Sequence, residues 1–184
     1  MRGPIPNSYQ LLDGRLIAGE YPGDRNDAPA RAKLGALLDA GVTTFIDLTE
    51  PHELAPYERL IVEMARARGK DVKYHRLPIH DVSVPKSATV MHEILNEIDA
   101  ALDSGGVVYV HCWGGVGRTG TVVGCHLVRH GMTGEDALAR VAELFKNMEK
   151  SARRQRSPET DEQDAFVRSW REDVPNVTMR RQQP

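Results

Sequence analysis

The stretch that decides the fold is VVYVHCWGGVGRTGTVVGCHLV, Val107 to Val128. It opens as a short apolar, β-branched run and closes as a longer apolar run. A glycine-rich turn separates the two. A brief apolar run, then a turn, then a helix-length segment reads as strand, loop and helix, the working unit of an α/β protein. The loop carries a thiol at its front, Cys112, and a guanidinium near its end, Arg118. Gly114, Gly115, Gly117 and Gly120 surround them. Gly-rich loops between a strand and a helix bind phosphate, because backbone N–H groups and the positive end of the helix converge there.

Upstream, SYQLLDGRLIAGE reads as two strands about an Asp13–Gly14 turn. Residues 28–40 place Ala32, Leu34, Leu37 and Leu38 near helical spacing, with Gly41 as the stop. VTTFIDLTE is a buried strand, and residues 57–68 are helical before Gly69. VKYHRLP is the next strand, and IHDVSVP is a loop. Residues 87–102 set Val90, Ile94, Ile98 and Leu102 on one helical face, and Val107–His111 is the last strand. Helices are predicted over 119–130, 134–148 and 159–170, with the basic linker KSARRQRSP before the last. Strands alternating with helices predict an α/β fold with a mostly parallel central sheet flanked by helices. The chain reads as a single domain, 1–184, with its core over about 8–171 and a loose tail over 172–184.

Composition bounds the function. The 184 residues are 40% hydrophobic, enough for one domain with a real core, and the net charge of −2 gives no basic field for nucleic acid. Two cysteines, Cys112 and Cys125, make no disulfide framework and suit a reducing compartment. The N-terminus has no signal-like apolar segment, and no apolar run is long enough to span a bilayer. The expectation is a cytoplasmic monomer that uses no membrane, cofactor or metal.

The loop admits three readings. GVGRTG is formally G-x-G-x-x-G, but the acidic residue due about 20 positions on falls at Glu135 or Asp136, in a helix rather than after a second strand. A nucleoside-triphosphate loop needs a lysine where Arg118 stands. The third reading uses every residue. The glycines curl the backbone into an anion nest with Cys112 at its base, the helix near Thr119 points its positive end inward, and Arg118 grips two phosphate oxygens at once. That field favours the thiolate, the form that attacks phosphorus. The phosphate-binding positions are then Trp113, Gly114, Gly115, Val116, Gly117 and Arg118.

HCWGGVGRTG resembles the H-C-x-x-G-x-x-R-[ST]-G loop of the protein tyrosine and dual-specificity phosphatases, with matches at His111, Cys112, Gly115, Arg118, Thr119 and Gly120. Its late position sets it apart from the low-molecular-weight tyrosine phosphatases. The resemblance implies a dual-specificity-phosphatase-like fold and hydrolysis of phosphate monoesters through a phosphocysteine. The substrate would be phosphotyrosine in proteins, with phosphoserine and phosphothreonine beside it, or else a small non-protein phosphate ester. A phosphate-recognition module without turnover is the remaining alternative.

Further roles follow from the same resemblance. LPIHDVSVP is similar to the general-acid loop, which assigns Asp81; Asp47, inside a strand, is the structural competitor. RSPETDEQDAF resembles the loop whose glutamines orient the hydrolytic water. Gln163 matches the second glutamine, and Glu159 replaces the first and is expected to turn toward Arg153, Arg154 or Arg156. His111 orders the loop by hydrogen bonds, and Thr119 donates to the Cys112 sulfur. Cys125 is expected to be a buried small residue rather than a redox partner. Trp113 either walls the pocket or packs outward. With no lysine between Trp113 and Gly117, the loop favours a phosphorylated side chain over a polyphosphorylated ring.

Overall fold

The apolar pattern of the strands alternates between two cores, and this sets the layers. Leu16, Ala18, Ile46, Val108 and Val110 face one core, while Ile17, Phe45 and Tyr109 face the other. Period-two alternation with both faces buried is the mark of a sheet covered on each side. The computed structural model describes residues 1–172. It contains β1 (Ser8–Leu11), β2 (Leu16–Gly19), α1 (Asp27–Asp39), β3 (Thr44–Asp47), α2 (Glu58–Arg66) and β4 (Lys73–Arg76). These are followed by α3 (Ala88–Asp103), β5 (Val108–His111), α4 (Gly117–Arg129), α5 (Gly134–Phe145) and α6 (Asp161–Ser169). Of the tail expected over 172–184, residues 173–184 lie outside the described residues.

The sheet order is β1-β2-β5-β3-β4, with β1 antiparallel to β2 and every other pairing parallel. The fold is thus a single α/β domain with a mostly parallel sheet, as the alternation of elements predicts. After β4 the chain returns through α3 and drops β5 into the gap between β2 and β3. All four residues of β5 are buried. Its carboxyl end therefore opens onto the middle of the sheet edge, where α/β proteins place their ligands.

Two local expectations shift. The first hairpin closes through four residues, because Leu11 pairs with Leu16; Leu12, Asp13 and Gly14 all have positive φ. α4 begins at Gly117 rather than Thr119. Glycines are weak helix formers, so the residue pattern marks this start two positions late.

Candidate active site

β5 delivers Cys112 to the carboxyl edge of the sheet, where the chain curls and enters α4. Gly115 has φ +71°, and a Cβ there would collide with the Gly19 backbone, so the curl requires glycine. The curl brings the Gly115 N–H to within 3.3 Å of the Cys112 sulfur. Cys112 is 3% exposed and lines one cavity with Gly117 and Arg118, the first residues of α4 at its positive end.

Arg118, 2% exposed, is held on its far side. Nη1 donates to Glu53 Oε2 at 2.9 Å, the Ile79 carbonyl at 3.1 Å and the Leu48 carbonyl at 3.4 Å. Nη2 donates to Glu53 Oε1 at 2.6 Å and lies 2.9 Å from Asp81 Oδ1. The bidentate carboxylate fixes the plane of the guanidinium. Nε makes no hydrogen bond to the described residues, so Nε and Nη2 form the fork that a phosphate could take from Asp81. Burial works against the Arg118 charge, and the Glu53 hydrogen bonds and surrounding negative groups outweigh it, raising its pKa. Burial likewise pushes Glu53 up, but the Arg118 hydrogen bonds prevail and hold its carboxyl below the usual range.

His111 is a brace. It is fully buried, with Nδ1 3.1 Å from the Cys112 carbonyl and Nε2 2.6 Å from the Tyr57 hydroxyl. Burial lowers its pKa and favours the neutral ring. A neutral ring that donates from Nδ1 and accepts at Nε2 satisfies both contacts. Asp47 is consumed by structure: Oδ1 accepts from the Thr49 amide and hydroxyl, and Oδ2 from Tyr74 and Arg76. Thr119 makes no bond to the sulfur; its hydroxyl is buried and has no hydrogen-bond partner among the described residues. Cys125 is fully buried, burial pushes its thiol pKa up, and both cysteines are free.

A cavity of about 550 Å³ opens over the loop, with Cys112 and Arg118 in its floor and Asp81 and Gln163 in its walls. Gln163 is fully buried. Its Oε1 accepts from the Glu159 and Thr160 amides at 3.0 and 3.2 Å, and its Nε2 donates to the carbonyl of Ser83, two residues past Asp81. A Cβ on Gly117 would lie 3.0 Å from this side-chain amide. One glutamine thus touches the loop that carries Asp81, the loop from Cys112 to Arg118 and the start of α6. Glu159 pairs with Arg154 at 2.7 Å.

The family described as "Swiss Army Knife protein, DSP-PTPase phosphatase domain" matches residues 6–169. The chain belongs to the dual-specificity phosphatase family. Among curated proteins, this phosphatase domain is 33% identical over 99 residues to mouse dual specificity protein phosphatase CDC14B, covering 52% of this chain and 20% of that protein. It is 31% identical over 122 residues to Arabidopsis thaliana phosphatidylglycerophosphate phosphatase PTPMT2, covering 66% of this chain and 48% of the relative. The chain therefore spans between a fifth and a half of the length of these relatives. Among solved structures, Tk-PTP in its active form superposes with a TM-score of 0.61 at 26% identity, covering 86% of this chain and 92% of that one. Kinase associated phosphatase shares the fold, with a TM-score of 0.67 at 20% identity and coverage of 91% and 94%.

Two parts of the candidate site are not marked by the motifs. Glu53 sits in PHELAP, a polar loop whose pairing with Arg118 spans 65 positions and exists only once β3 and β5 lie side by side. The second part is a basic wall. Lys150, Arg153 and Arg154 come from the linker after α5 and line the cavity. Lys150 bonds Glu20 at 2.9 Å and the Gly114 carbonyl at 2.7 Å. The phosphate loop itself lacks lysine, but its cavity does not lack cations. The runs of Lys and Arg in KSARRQRSP are the only sequence signal for that wall.

Glu53→Gln should lower kcat/KM by roughly 10–100-fold, the worth of charge-assisted hydrogen bonds at about 1.5–3 kcal/mol. Steady-state kinetics with an aryl phosphate checks this. An unchanged value would show that the Ile79 and Leu48 carbonyls orient Arg118 unaided.

Proposed function

We propose that this domain hydrolyses phosphate monoesters through a phosphocysteine, with phosphotyrosine in proteins as its main substrate class. The observation that carries the reading is a single cavity holding Cys112 and Arg118 in its floor and Asp81 in its wall. In the first step the Cys112 thiolate attacks phosphorus, the ester P–O bond breaks, and Asp81 gives its proton to the departing oxygen. In the second, water attacks the phosphocysteine, Asp81 takes the water proton, and thiolate and inorganic phosphate leave. The rim supports an aromatic ester. Trp113 and Val82 are 57% and 56% exposed, and both line the cavity, offering apolar surface to a ring whose phosphate reaches the floor.

A second reading has its own observation. Arg153 lines the cavity and makes no ion pair among the described residues, so a small or lipid phosphate ester with a second anionic group would find a partner there. Turnover of para-nitrophenyl phosphate in EDTA tests the reaction, and its absence would leave a phosphate-recognition module. Comparing phosphotyrosine, phosphoserine and phosphothreonine peptides with diacyl and small phosphate esters tests the substrate. Preference for a doubly anionic ester, lost in Arg153→Ala, would favour the second reading.

Gln163 is proposed to serve the second step. Its acceptor oxygen is committed, but one amide hydrogen remains for the hydrolytic water. In rapid-mix kinetics with an activated aryl phosphate, Gln163→Ala should give a product burst and then a slow steady state as phosphoenzyme accumulates. Glu159→Gln should match the parent or exceed it in that step. Equal slowing of both steps in Gln163→Ala, without a burst, would restrict the residue to holding the acid loop through Ser83.

A further inference from the structure

Roughly two and a half turns along α4 from the phosphate loop lies a cluster that the proposed chemistry does not use. His126 and His130, four positions apart, share one face of the helix. Asp99 reaches them from α3. Asp99 Oδ1 lies 3.5 Å from His126 Nδ1 and 3.1 Å from His130 Nε2. One ligand atom from each residue falls within 4.8 Å of the others. His126 is 1% exposed, yet neither of its ring nitrogens has a hydrogen-bond partner among the described residues. A buried imidazole with both nitrogens unsatisfied needs an explanation, since buried polar atoms are almost always paired.

We propose that Asp99, His126 and His130 bind one divalent transition-metal ion of the zinc class, with water completing its coordination. The spacing repeats the device of two histidines at i and i+4 on a metal-binding helix. Zinc bonds of 2.0–2.1 Å set tetrahedral edges of about 3.3 Å. The two histidine–aspartate separations straddle that length, and rotation of His130, whose side chain is 54% exposed, closes the third edge. The surroundings support the carboxylate as a ligand. Asp99 Oδ2 accepts from Arg129 at 3.0 Å, which leaves Oδ1 for the ion and fixes the carboxylate from behind. Glu172 offsets the Arg129 charge through bonds of 2.9 and 3.1 Å. Magnesium, which prefers oxygen ligands and retains its water, does not suit two imidazoles. The ion would tie α3 to the helix that carries Arg118 without entering the cavity.

The test uses untagged protein carrying Cys112→Ser, because the free thiolate would itself take zinc. The fate of the phosphatase reading therefore has no bearing on the result. Chelator-treated protein is titrated calorimetrically with zinc and melted with and without it. The expected result is one saturable site, and a Tm rise of roughly 5–10 °C with zinc at 100 times Kd. Magnesium should give no rise. His130→Ala and Asp99→Asn, both at partly exposed positions, should each weaken zinc binding by at least about tenfold. If Asp99→Asn does not fold, His130→Ala decides alone. The absence of a saturable site, or a site of unchanged affinity in the folded variants, overturns the proposal.

Discussion

Cys112→Ser should lower kcat by about four powers of ten or more, as removal of a covalent nucleophile does. The serine oxygen stays protonated at neutral pH and cannot take the place of the thiolate. The rest of the site should survive. The start of α4 and the Arg118–Glu53 clamp make no bond to the sulfur, and a serine oxygen can accept from the Gly115 N–H in its place. Affinity for phosphate or for an aryl phosphate should therefore stay within a few-fold of the parent, read by calorimetry. That split between lost turnover and kept binding is the signature of a nucleophile. Residual activity above about 1%, or a loss of binding that parallels the loss of turnover, would remove Cys112 from that role.

Asp81→Asn should lower kcat by about two to four powers of ten on a phosphotyrosine peptide, whose leaving oxygen needs a proton. On an activated ester, whose oxygen departs as a stable anion, the loss should shrink to about tenfold or less. The comparison matters because Asp81 also touches Arg118 at 2.9 Å and lies close to the Ser83 contact with Gln163. A purely structural aspartate would cost both substrates equally, and an equal loss would reassign it. Asparagine keeps the size of the side chain and can still accept from Nη2, so the substitution isolates the proton.

The legible parts of this chain were those written in contiguous residues. HCWGGVGRTG carries its thiol, glycines and arginine within one turn of backbone, so its chemistry shows before any tertiary contact is known. The centre of the parallel sheet was legible because β2, β3 and β5, buried on both faces, read as apolar runs, whereas the edge strand β4, KYHR, does not. Glu53 was not, because a glutamate in a polar loop looks like every other surface glutamate until folding brings it to an arginine 65 positions away. The basic wall was hidden for a related reason. KSARRQRSP has the composition of a solvated linker, but its first turn folds as a 3-10 helix over Glu149–Ala152 and lies against Glu20 and Gly114. The metal cluster has a partial sequence signal in the four-residue spacing of His126 and His130, but its carboxylate comes from another helix.

The two carboxylates on Arg118 bear on how a substrate arrives. Glu53 and Asp81 both sit on the guanidinium at ion-pair distance, so at rest the floor of the cavity does not present a free cation. Lys150 and Arg154 at the wall are paired in the same way, with Glu20 and Glu159, so attraction of an approaching dianion over distance falls to Arg153, which makes no ion pair among the described residues. Charges at a mouth act through solvent and fade with ionic strength over about 10 Å at 0.1 M salt, whereas paired charges in a dry floor do not. Capture should slow as salt rises while the chemical step holds steady, so that kcat/KM falls and kcat does not. Salt then separates two cations within one cavity, Arg153 that gathers the substrate and Arg118 that holds it.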